Sequence, residues 1–294
     1  MSEILIDSLD DPRLDVYRDL KHAGASLPET FIAEGEKLVL RLIESPCRTE
    51  SILCTAAMQG RLRDRLPVDI PVYIASTPVI SRLVGFQFHR GILACGRRPR
   101  EVNLKTLLDS QVNNGRSLVV LCPDIRDPLN LGTIIRTAAA FGAVCLVAGL
   151  AGTQPFSRRV LRTSMGSVLQ LPIIQFDAGQ FDAGQFDAWT EVFEVLHQYD
   201  FDTIATVLDP AAEALGAGPC SPRVALLLGN EDAGLPDDFV ARCRRRIRVP
   251  MAGGVDSLNV SVAAGIIMHH FSTAGIATTQ KRTGHAEHAH VLPS

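Results

Sequence analysis

The sequence of 294 residues predicts an α/β protein with a buried parallel sheet, preceded by a smaller α/β unit. From residue 117 to 274, candidate strands alternate with candidate helices, and each strand is apolar throughout. Such strands are typical of a parallel sheet that helices cover on both faces. Between the two parts, residues 97–117 are polar and broken by Pro99 and Gly115, which predicts a linker.

The smaller unit is predicted within residues 30–107. The segment 31–43 is predicted to run into an amphipathic helix, because Leu38, Leu42 and Ile43 fall on one helix face. Short apolar runs predict three strands, at 51–55, at 71–75 and ending near 95.

The larger unit is predicted to contain six strands separated by helices. The predicted strands are 117–122, 143–147, 170–174, 203–207, 224–228 and 247–250, and the predicted helices are 130–141, 158–167, 188–199 and 258–274. Ligands of α/β proteins bind at the carboxyl ends of the strands, so we expect a functional site at that edge.

Composition and cysteine usage exclude several classes of protein. Hydrophobic residues make up 46% and charged residues 21% of the chain, which is typical of a folded soluble protein. No run of 18 apolar residues predicts a membrane span, and the acidic N-terminus does not look like a secretory signal. The seven cysteines are odd in number and form no CxxC pair, which favours reduced cysteines in a cytoplasmic protein without a metal centre.

Two segments fit neither unit. Residues 175–188 repeat the sequence QFDAG, which we interpret as a duplication within a surface loop. Residues 277–294 are predicted to form a disordered tail, whose three histidines offer weak metal binding at most.

Three patches of polar residues and glycines follow predicted strands. In the first, Asn130 opens a helix, and Arg136 stands on that helix among apolar residues. Helix N-termini attract anions, and an arginine in such surroundings needs a ligand or a buried partner. An internal ion pair of Arg136 is the alternative interpretation.

The second and third patches also combine glycines with hydrogen-bonding groups. In LLLGNEDAGLP (226–236), a buried strand leads directly into Gly229 and Glu231, although an ordinary capped turn would have the same appearance. In VPMAGGVDSLNVSVAAG (249–265), a glycine-rich turn leads into a helix that opens with Ser257 and Asn259. Neither patch contains a phosphate-binding loop or a dinucleotide fingerprint.

Together and in this order, the patches resemble the three motifs of the SpoU (TrmH-type) ribose 2′-O-methyltransferases of the SPOUT superfamily, the first motif here being NLGTIIR (130–136). The resemblance covers about residues 115–275. In addition, FIAEGEK (31–37) and HRGILA (89–94) are similar to the N-terminal substrate-binding domain of many members, which has the fold of ribosomal protein L30e. The pair Asp232 and Ala233 stands where many members have a glycine-containing pair, and its aspartate adds a charge beside Glu231.

The resemblance implies a fold, a cofactor and an assembly. It implies an α/β fold whose parallel sheet ends in a C-terminal deep trefoil knot, with S-adenosylmethionine bound in the knot loops of a homodimer. The implied domains are an L30e-like RNA-binding domain with the start of the linker (1–107), a methyltransferase domain (115–276) and the tail (277–294).

The resemblance also assigns site residues. The implied cofactor-binding residues are Leu228, Gly229, Val249, Met251 and Leu258. The implied catalytic or substrate-orienting residues are Asn130, Arg136, Glu231, Ser257 and Asn259. No metal is implied.

The predicted function is methyl transfer to a ribose 2′-hydroxyl of structured RNA, and the two-domain layout favours rRNA over tRNA. The predicted RNA contacts of the N-terminal domain are Arg61, Arg63, Arg65 and Arg90, although a solvated charged face is the plainer interpretation of such clusters. A net charge of −3 gives no further sign of RNA binding. The alternatives are a non-catalytic RNA-binding protein of the same fold and an unrelated nucleotide-dependent α/β enzyme.

Overall fold

The computed structural model describes residues 3–6, 8–20, 29–99, 102–111, 115–175 and 185–283. These belong to two units: unit 1 comprises residues 1–102, 127–136 and 153–173, and unit 2 comprises residues 103–126, 137–152 and 174–294. Most of the QFDAG repeat, at 176–184, and the end of the predicted tail, at 284–294, lie outside the described residues.

Up to residue 111 the chain alternates short strands and helices. The strands are β1 (Glu3–Leu5), β2 (Thr30–Glu34), β3 (Arg48–Cys54), β4 (Val72–Ile74) and β5 (Ile92–Arg97), and the helices are α1 (Glu36–Ile43), α2 (Ala56–Leu62), α3 (Thr77–Val84) and α4 (Leu104–Gln111). The start of the segment predicted to run into a helix, residues 31–34, belongs to β2. Gly35 separates it from α1 with a φ of 91°, a conformation that glycine adopts without strain.

The sheet of unit 1 has the order β1-β4-β3-β5-β2. Strand β4 runs parallel to β1 and β3, whereas β5 runs antiparallel to β3 and β2. The N-terminal residues complete the core of this unit: the side chain of Tyr17 is fully buried, and its hydroxyl lies 2.8 Å from Ser51 Oγ. No sequence pattern indicated this role, because β1 has only three residues and the segment around it is acidic.

From residue 117 onward the chain continues the alternation. The strands are β6 (Ser117–Cys122), β7 (Cys145–Ala148), β8 (Ile173–Gln175), β9 (Asp202–Thr206), β10 (Glu213–Ala214), β11 (Arg223–Leu227) and β12 (Arg245–Arg248), and the helices are α5 (Pro128–Ala140), α6 (Arg158–Thr163), α7 (Gln185–Gln198), α8 (Asp237–Arg242) and α9 (Val260–Thr283).

Seven strands form one sheet in the order β10-β12-β9-β11-β6-β7-β8. From β10 to β7, every strand runs parallel to its neighbour. All residues of β6 and β7 are buried, as their apolar sequences predict. The predicted α/β fold with a parallel sheet is confirmed, and the carboxyl ends of β6, β9, β11 and β12 lie at one edge of the sheet.

Several element bounds differ from the predictions. The helix predicted over 158–167 ends at Thr163, because Met165 and Gly166 take positive φ values of 53° and 83°. The last helix extends to Thr283, so residues 277–283, predicted to begin a disordered tail, are helical; adding residues to a formed helix costs far less than nucleating one. None of the described helices is both long and apolar enough to span a lipid bilayer.

Candidate active site

The first turn of α5 carries Asn130. Asp127 caps this helix: its Oδ1 atom accepts the N–H of Leu129 at 2.9 Å, and Pro128 occupies the first helical position. The helix therefore begins two residues before the predicted start, and Asn130 lies within the first turn rather than at the cap. Its side chain is buried, 7% exposed, at a helix end where backbone N–H groups favour anions.

A glycine brings α5 against the end of α6. A Cβ atom on Gly132 would lie 2.6 Å from the Cβ of Thr163 and 3.1 Å from the backbone nitrogen of Ser164. The helices can approach this closely because residue 132 has no side chain. The glycine of the NLGTIIR motif therefore fixes the position of the turn that carries Asn130.

Arg136 lies further along α5, and its side chain is exposed. Its neighbours Ile134 and Ile135 are fully buried. Arg136 forms no ion pair within the part of the chain that the structure describes, so the structure gives no support to the alternative of an internal ion pair. The guanidinium group is accessible to a ligand.

The second motif forms a closed turn at the carboxyl end of β11. The N–H of Leu228 donates to the carbonyl of Leu121 in β6 at 2.9 Å, and Asn230 and Gly234 exchange two backbone hydrogen bonds of 2.9 and 3.0 Å. A Cβ atom on Gly229 would lie 2.7 Å from the carbonyl carbon of Gly234. The turn can close because residue 229 is glycine.

Asn230 holds this turn in place. Its Oδ1 atom accepts the N–H groups of Asp232 at 2.9 Å and Ala233 at 3.1 Å. Its Nδ2 group donates to the carbonyl of Asp124, after β6, at 2.9 Å. Gly229 and Glu231, on either side of Asn230, were predicted as site residues, whereas Asn230 was not. The available signal was an asparagine directly after a buried strand, where a side-chain amide can bond to nearby backbone.

Glu231 lies at the exposed tip of the turn, among other carboxylates. Arg126 forms a two-pronged pair with Asp124, with Nε–Oδ1 at 3.0 Å and a second contact at 2.9 Å. This hydrogen bond, together with the charges of Asp124, Asp232 and Glu231, raises the pKa of Arg126. Burial, together with the charge of Glu231, raises the pKa of the Cys122 thiol. The turn therefore presents a negative local field, which favours a bound cation.

A cavity of about 330 Å³ lies beside this turn in unit 2. Its volume is within the range of small-molecule sites. The rings of Trp189 and Phe239 form part of its wall, with centroids 5.4 Å apart, and Asp124 and Asn230 contribute polar groups. Leu228 is the member of the predicted cofactor set that lines it, and Gly229 lies between two lining residues.

The third motif begins at the end of β12 and ends on α9. Val249 and Met251 are half-buried. Strand β9 lies between β12 and β11, so β12 and β11 are about 10 Å apart. Val249 and Met251 follow β12, whereas Leu228 follows β11.

The other three predicted site residues of the third motif lie just before the first residue of α9. Leu258 is half-buried, whereas Ser257 and Asn259 are exposed. Asn259 is the N-cap of the helix: its Oδ1 atom accepts the N–H of Ser261 at 3.0 Å and that of Val262 at 3.4 Å.

Of the four arginines predicted to bind RNA, two line a cavity of unit 1 and two do not. Arg61 and Arg90 line a cavity of about 670 Å³, which we name the basic cavity. Arg65 lies outside its lining and pairs with Glu44 at 3.2 Å, and Arg63 is exposed elsewhere on the surface.

Metal-binding side chains are dispersed through the described residues. No three His, Cys, Asp or Glu side chains come close enough there to hold an ion. All seven cysteines are free thiols, and five of them are buried.

The model of the SpoU rRNA methylase family matches residues 117–269 of the chain. The chain belongs to the SpoU rRNA methylase family. The matched range contains all three motifs, so the predicted family and the predicted enzyme class, a methyltransferase, are confirmed. The arginines of the basic cavity at positions 61 and 90 lie outside this range.

Relatives along most of the chain carry related names. A protein of Mycobacterium bovis, named an uncharacterized tRNA/rRNA methyltransferase, is 33% identical over 276 residues, which is 90% of each chain. The 23S rRNA (guanosine-2′-O-)-methyltransferase of Acinetobacter baylyi is 29% identical over 228 residues, 75% of this chain and 88% of that protein.

The solved structure of an rRNA methyltransferase from Sinorhizobium meliloti, with AdoMet bound, is similar with a TM-score of 0.74. It is 25% identical and covers 93% of this chain, and 98% of its own chain is matched. The fold shared with that methyltransferase therefore includes residues of both units.

Proposed function

We propose that this SpoU family member transfers a methyl group from S-adenosylmethionine to a ribose 2′-hydroxyl of structured RNA, with rRNA favoured over tRNA. The observation that carries the proposal is Arg136, an exposed arginine of α5 that lies six residues after the buried Asn130, on the helix face that Leu129 and Ala140 also expose. A guanidinium in that position is suited to an RNA phosphate and to a reacting sugar oxygen.

The residues at the edge of the parallel sheet fit the proposed cofactor. S-adenosylmethionine supplies a methyl group bonded to a positively charged sulfur. The cavity in unit 2 offers aromatic walls for a flat ring and polar groups for a sugar, and the carboxylates around Glu231 favour the positive charge. We propose that Leu228, Gly229, Val249, Met251 and Leu258 hold the cofactor, although the last three lie outside the lining of this cavity.

The chain's own side chains would activate the sugar oxygen. A ribose hydroxyl is a weak nucleophile; it loses its proton to solvent water as it reacts, and negative charge grows on its oxygen. Guanidinium groups stay protonated in proteins, so Arg136 fits the role of a clamp that binds the neighbouring phosphate and stabilises that charge better than the role of a base. In this proposal Asn130, Glu231, Ser257 and Asn259 orient the substrate.

The remaining features of the proposal concern architecture. Residues 115–276 would form the methyltransferase domain with a deep trefoil knot, and residues 1–107 an L30e-like domain that binds RNA through Arg61, Arg63, Arg65 and Arg90. The resemblance supports a homodimer, and an RNA substrate together with reduced cysteines supports the cytoplasm.

The decisive assay is methyl transfer from tritiated S-adenosylmethionine to unmodified rRNA and tRNA, followed by alkaline digestion. A 2′-O-methyl group blocks cleavage at that nucleotide, so we expect the label in alkali-resistant dinucleotides. Label in mononucleotides would indicate base methylation. RNA binding without transfer would favour the non-catalytic alternative.

The substitution Arg136→Ala tests the central residue. We expect a loss of about 10²–10³-fold in the rate of methyl transfer, because a charge-stabilising group is removed. Cofactor affinity, measured by calorimetry, should not change. Arg136→Lys is the matched variant, because lysine keeps the positive charge and lacks the planar guanidinium that can bind two oxygens at once. Loss of cofactor binding in the alanine variant would instead assign Arg136 a structural role.

A further inference from the structure

The basic cavity of unit 1 has more positive groups than its structural contacts use. Its lining contains five cations, Lys37, Arg61, Arg90, Arg159 and Arg162, and three carboxylates, Glu34, Glu36 and Asp127. Arg159 and Arg162 come from α6, a segment that the predictions left without a role in RNA binding.

Each carboxylate of the cavity already has a structural partner. Glu34, whose side chain is 8% exposed, pairs with Arg158 at 2.8 Å and with Arg90 at 3.5 Å. Glu36 pairs with Arg61, and Asp127 caps α5. These acids are therefore occupied in holding the walls of the cavity.

Three cations remain available. Lys37, Arg159 and Arg162 are exposed, and none of them forms an ion pair with another described residue. Groups of one sign that line a concave surface attract a ligand of the opposite sign. Because arginine forks match phosphate oxygens, the expected ligand carries phosphate groups.

The walls of the cavity are held at fixed positions. Arg158 also donates to the carbonyl of Leu20 at 2.8 Å and stacks over the Phe86 ring at 4.7 Å. Arg41 of α1 donates to the carbonyl of Met165, just after α6. The free cations of α1 and α6 are thus presented by elements that are bonded to each other, which lowers the entropic cost of binding.

One side of the cavity reaches the proposed catalytic segment. Pro128 and Leu129 line it, and they immediately precede Asn130 in α5. The Leu129 side chain is 59% exposed and offers apolar surface beside the cations. A positively charged groove that tracks the backbone is a common feature of sites for single-stranded nucleic acid.

We propose that the basic cavity binds the phosphodiester backbone of the substrate RNA next to the nucleotide to be methylated, with Arg159 and Arg162 as phosphate contacts. The inference rests on the proposed function for the identity of the RNA. In this proposal α6 is part of the RNA-binding surface, and the bound RNA strand runs toward Asn130.

The test compares the double variant Arg159→Ala/Arg162→Ala with Arg82→Ala. Arg82 is an exposed arginine of unit 1 outside the lining of the cavity, and therefore a matched control. Affinity for deproteinised 23S rRNA is measured by filter binding over a series of salt concentrations, together with calorimetry of S-adenosylmethionine binding and the kinetics of methyl transfer.

We expect the double variant to bind the rRNA about 10- to 100-fold more weakly and to lower the slope of log affinity against log salt by about 0.7 per lost phosphate contact. The KM for RNA should rise, while kcat at saturating RNA and the affinity for S-adenosylmethionine stay at the wild-type values. Arg82→Ala should match the wild type throughout.

RNA affinity and salt dependence equal to those of Arg82→Ala would overturn the proposal. A loss of cofactor affinity in the double variant would also overturn it, since the two arginines would then act on the fold. If the wild-type protein transfers no methyl group at all, the proposed function fails, and the binding series still decides whether the basic cavity holds RNA.

Discussion

At the scale of single residues, two asparagines in the second and third motifs bond to the backbone in the same way. Asn230 and Asn259 each accept N–H groups from the residues two and three positions ahead. In Asn230 this closes the turn after β11, and in Asn259 it caps α9. A short amide side chain thus determines the course of two loops of the proposed site.

Asn259 allows capping to be separated from substrate contact. Asn259→Ala should lower the free energy of unfolding by about 1 kcal/mol, because the cap is lost, whereas Asn259→Ser retains an acceptor and most of that stability. If the amide orients the substrate, methyl transfer falls in both variants. Chemical unfolding and kcat/KM measure the two effects, and full recovery of both in the serine variant would limit Asn259 to a capping role.

At the scale of elements, close approaches between backbones position the first two motifs. Gly132 brings α5 onto the end of α6, and Gly229 lets the turn after β11 fold back on Gly234. Both glycines were visible in the sequence as parts of motifs. Why each position needs a glycine is visible only in the structure, because the residues that the two glycines approach are several or many positions away in the chain.

Two helical glycines make a matched pair for a stability test. Gly132→Ala should destabilise the protein, because its Cβ would lie 2.6 Å from that of Thr163, and overpacking of this kind costs about 1–3 kcal/mol. Gly60→Ala in α2 meets no atom within 4 Å and should stabilise by about 0.5–1 kcal/mol, as in other exposed helices.

The readout is the midpoint of chemical denaturation for each variant and the wild type. Because α5 carries Asn130, the Gly132 variant should also lose methyl transfer activity, and the Gly60 variant should not. Equal stability of the two variants would show that α5 and α6 can separate without cost.

At the scale of the whole molecule, the units and the proposed domains do not share their boundaries. Residues 127–136 and 153–173 belong to the matched family range, yet they group with the N-terminal residues in unit 1. Phe156 packs on Phe31 with ring centroids 5.3 Å apart, and Arg158 pairs with Glu34. The proposed methyltransferase domain therefore has part of its packing in the N-terminal segment.

This interleaving bears on truncation. From sequence alone, removal of residues 1–107 is expected to weaken RNA binding and to spare cofactor binding. The packing of Phe156 on Phe31 adds a loss of stability, because the deletion exposes the buried face of residues 153–173. We expect the fragment 108–294 to unfold at a lower temperature than the full chain and to be cleaved faster by protease near Phe156. An unchanged midpoint of thermal unfolding would show that the fragment is stable without the N-terminal residues.

The sequence by itself determined the fold class, the family and the order of the three motifs. Apolar strands report their own burial, and the combinations of glycine, asparagine and charged residues in the motifs are local patterns. Helix ends were less well predicted: the start of α5 depends on the Asp127 cap, and the end of α6 on the positive φ of Met165.

The tertiary structure alone decided which distant residues meet. The contact of Asn230 with Asp124 joins residues 106 positions apart, and the pair of Arg158 with Glu34 joins residues 124 positions apart. Nothing local in the sequence encodes such partners, because strand order and the packing of helices on the sheet bring them together. For the same reason, the arginines of α6 in the basic cavity and the role of Tyr17 in the core became visible only in the folded chain.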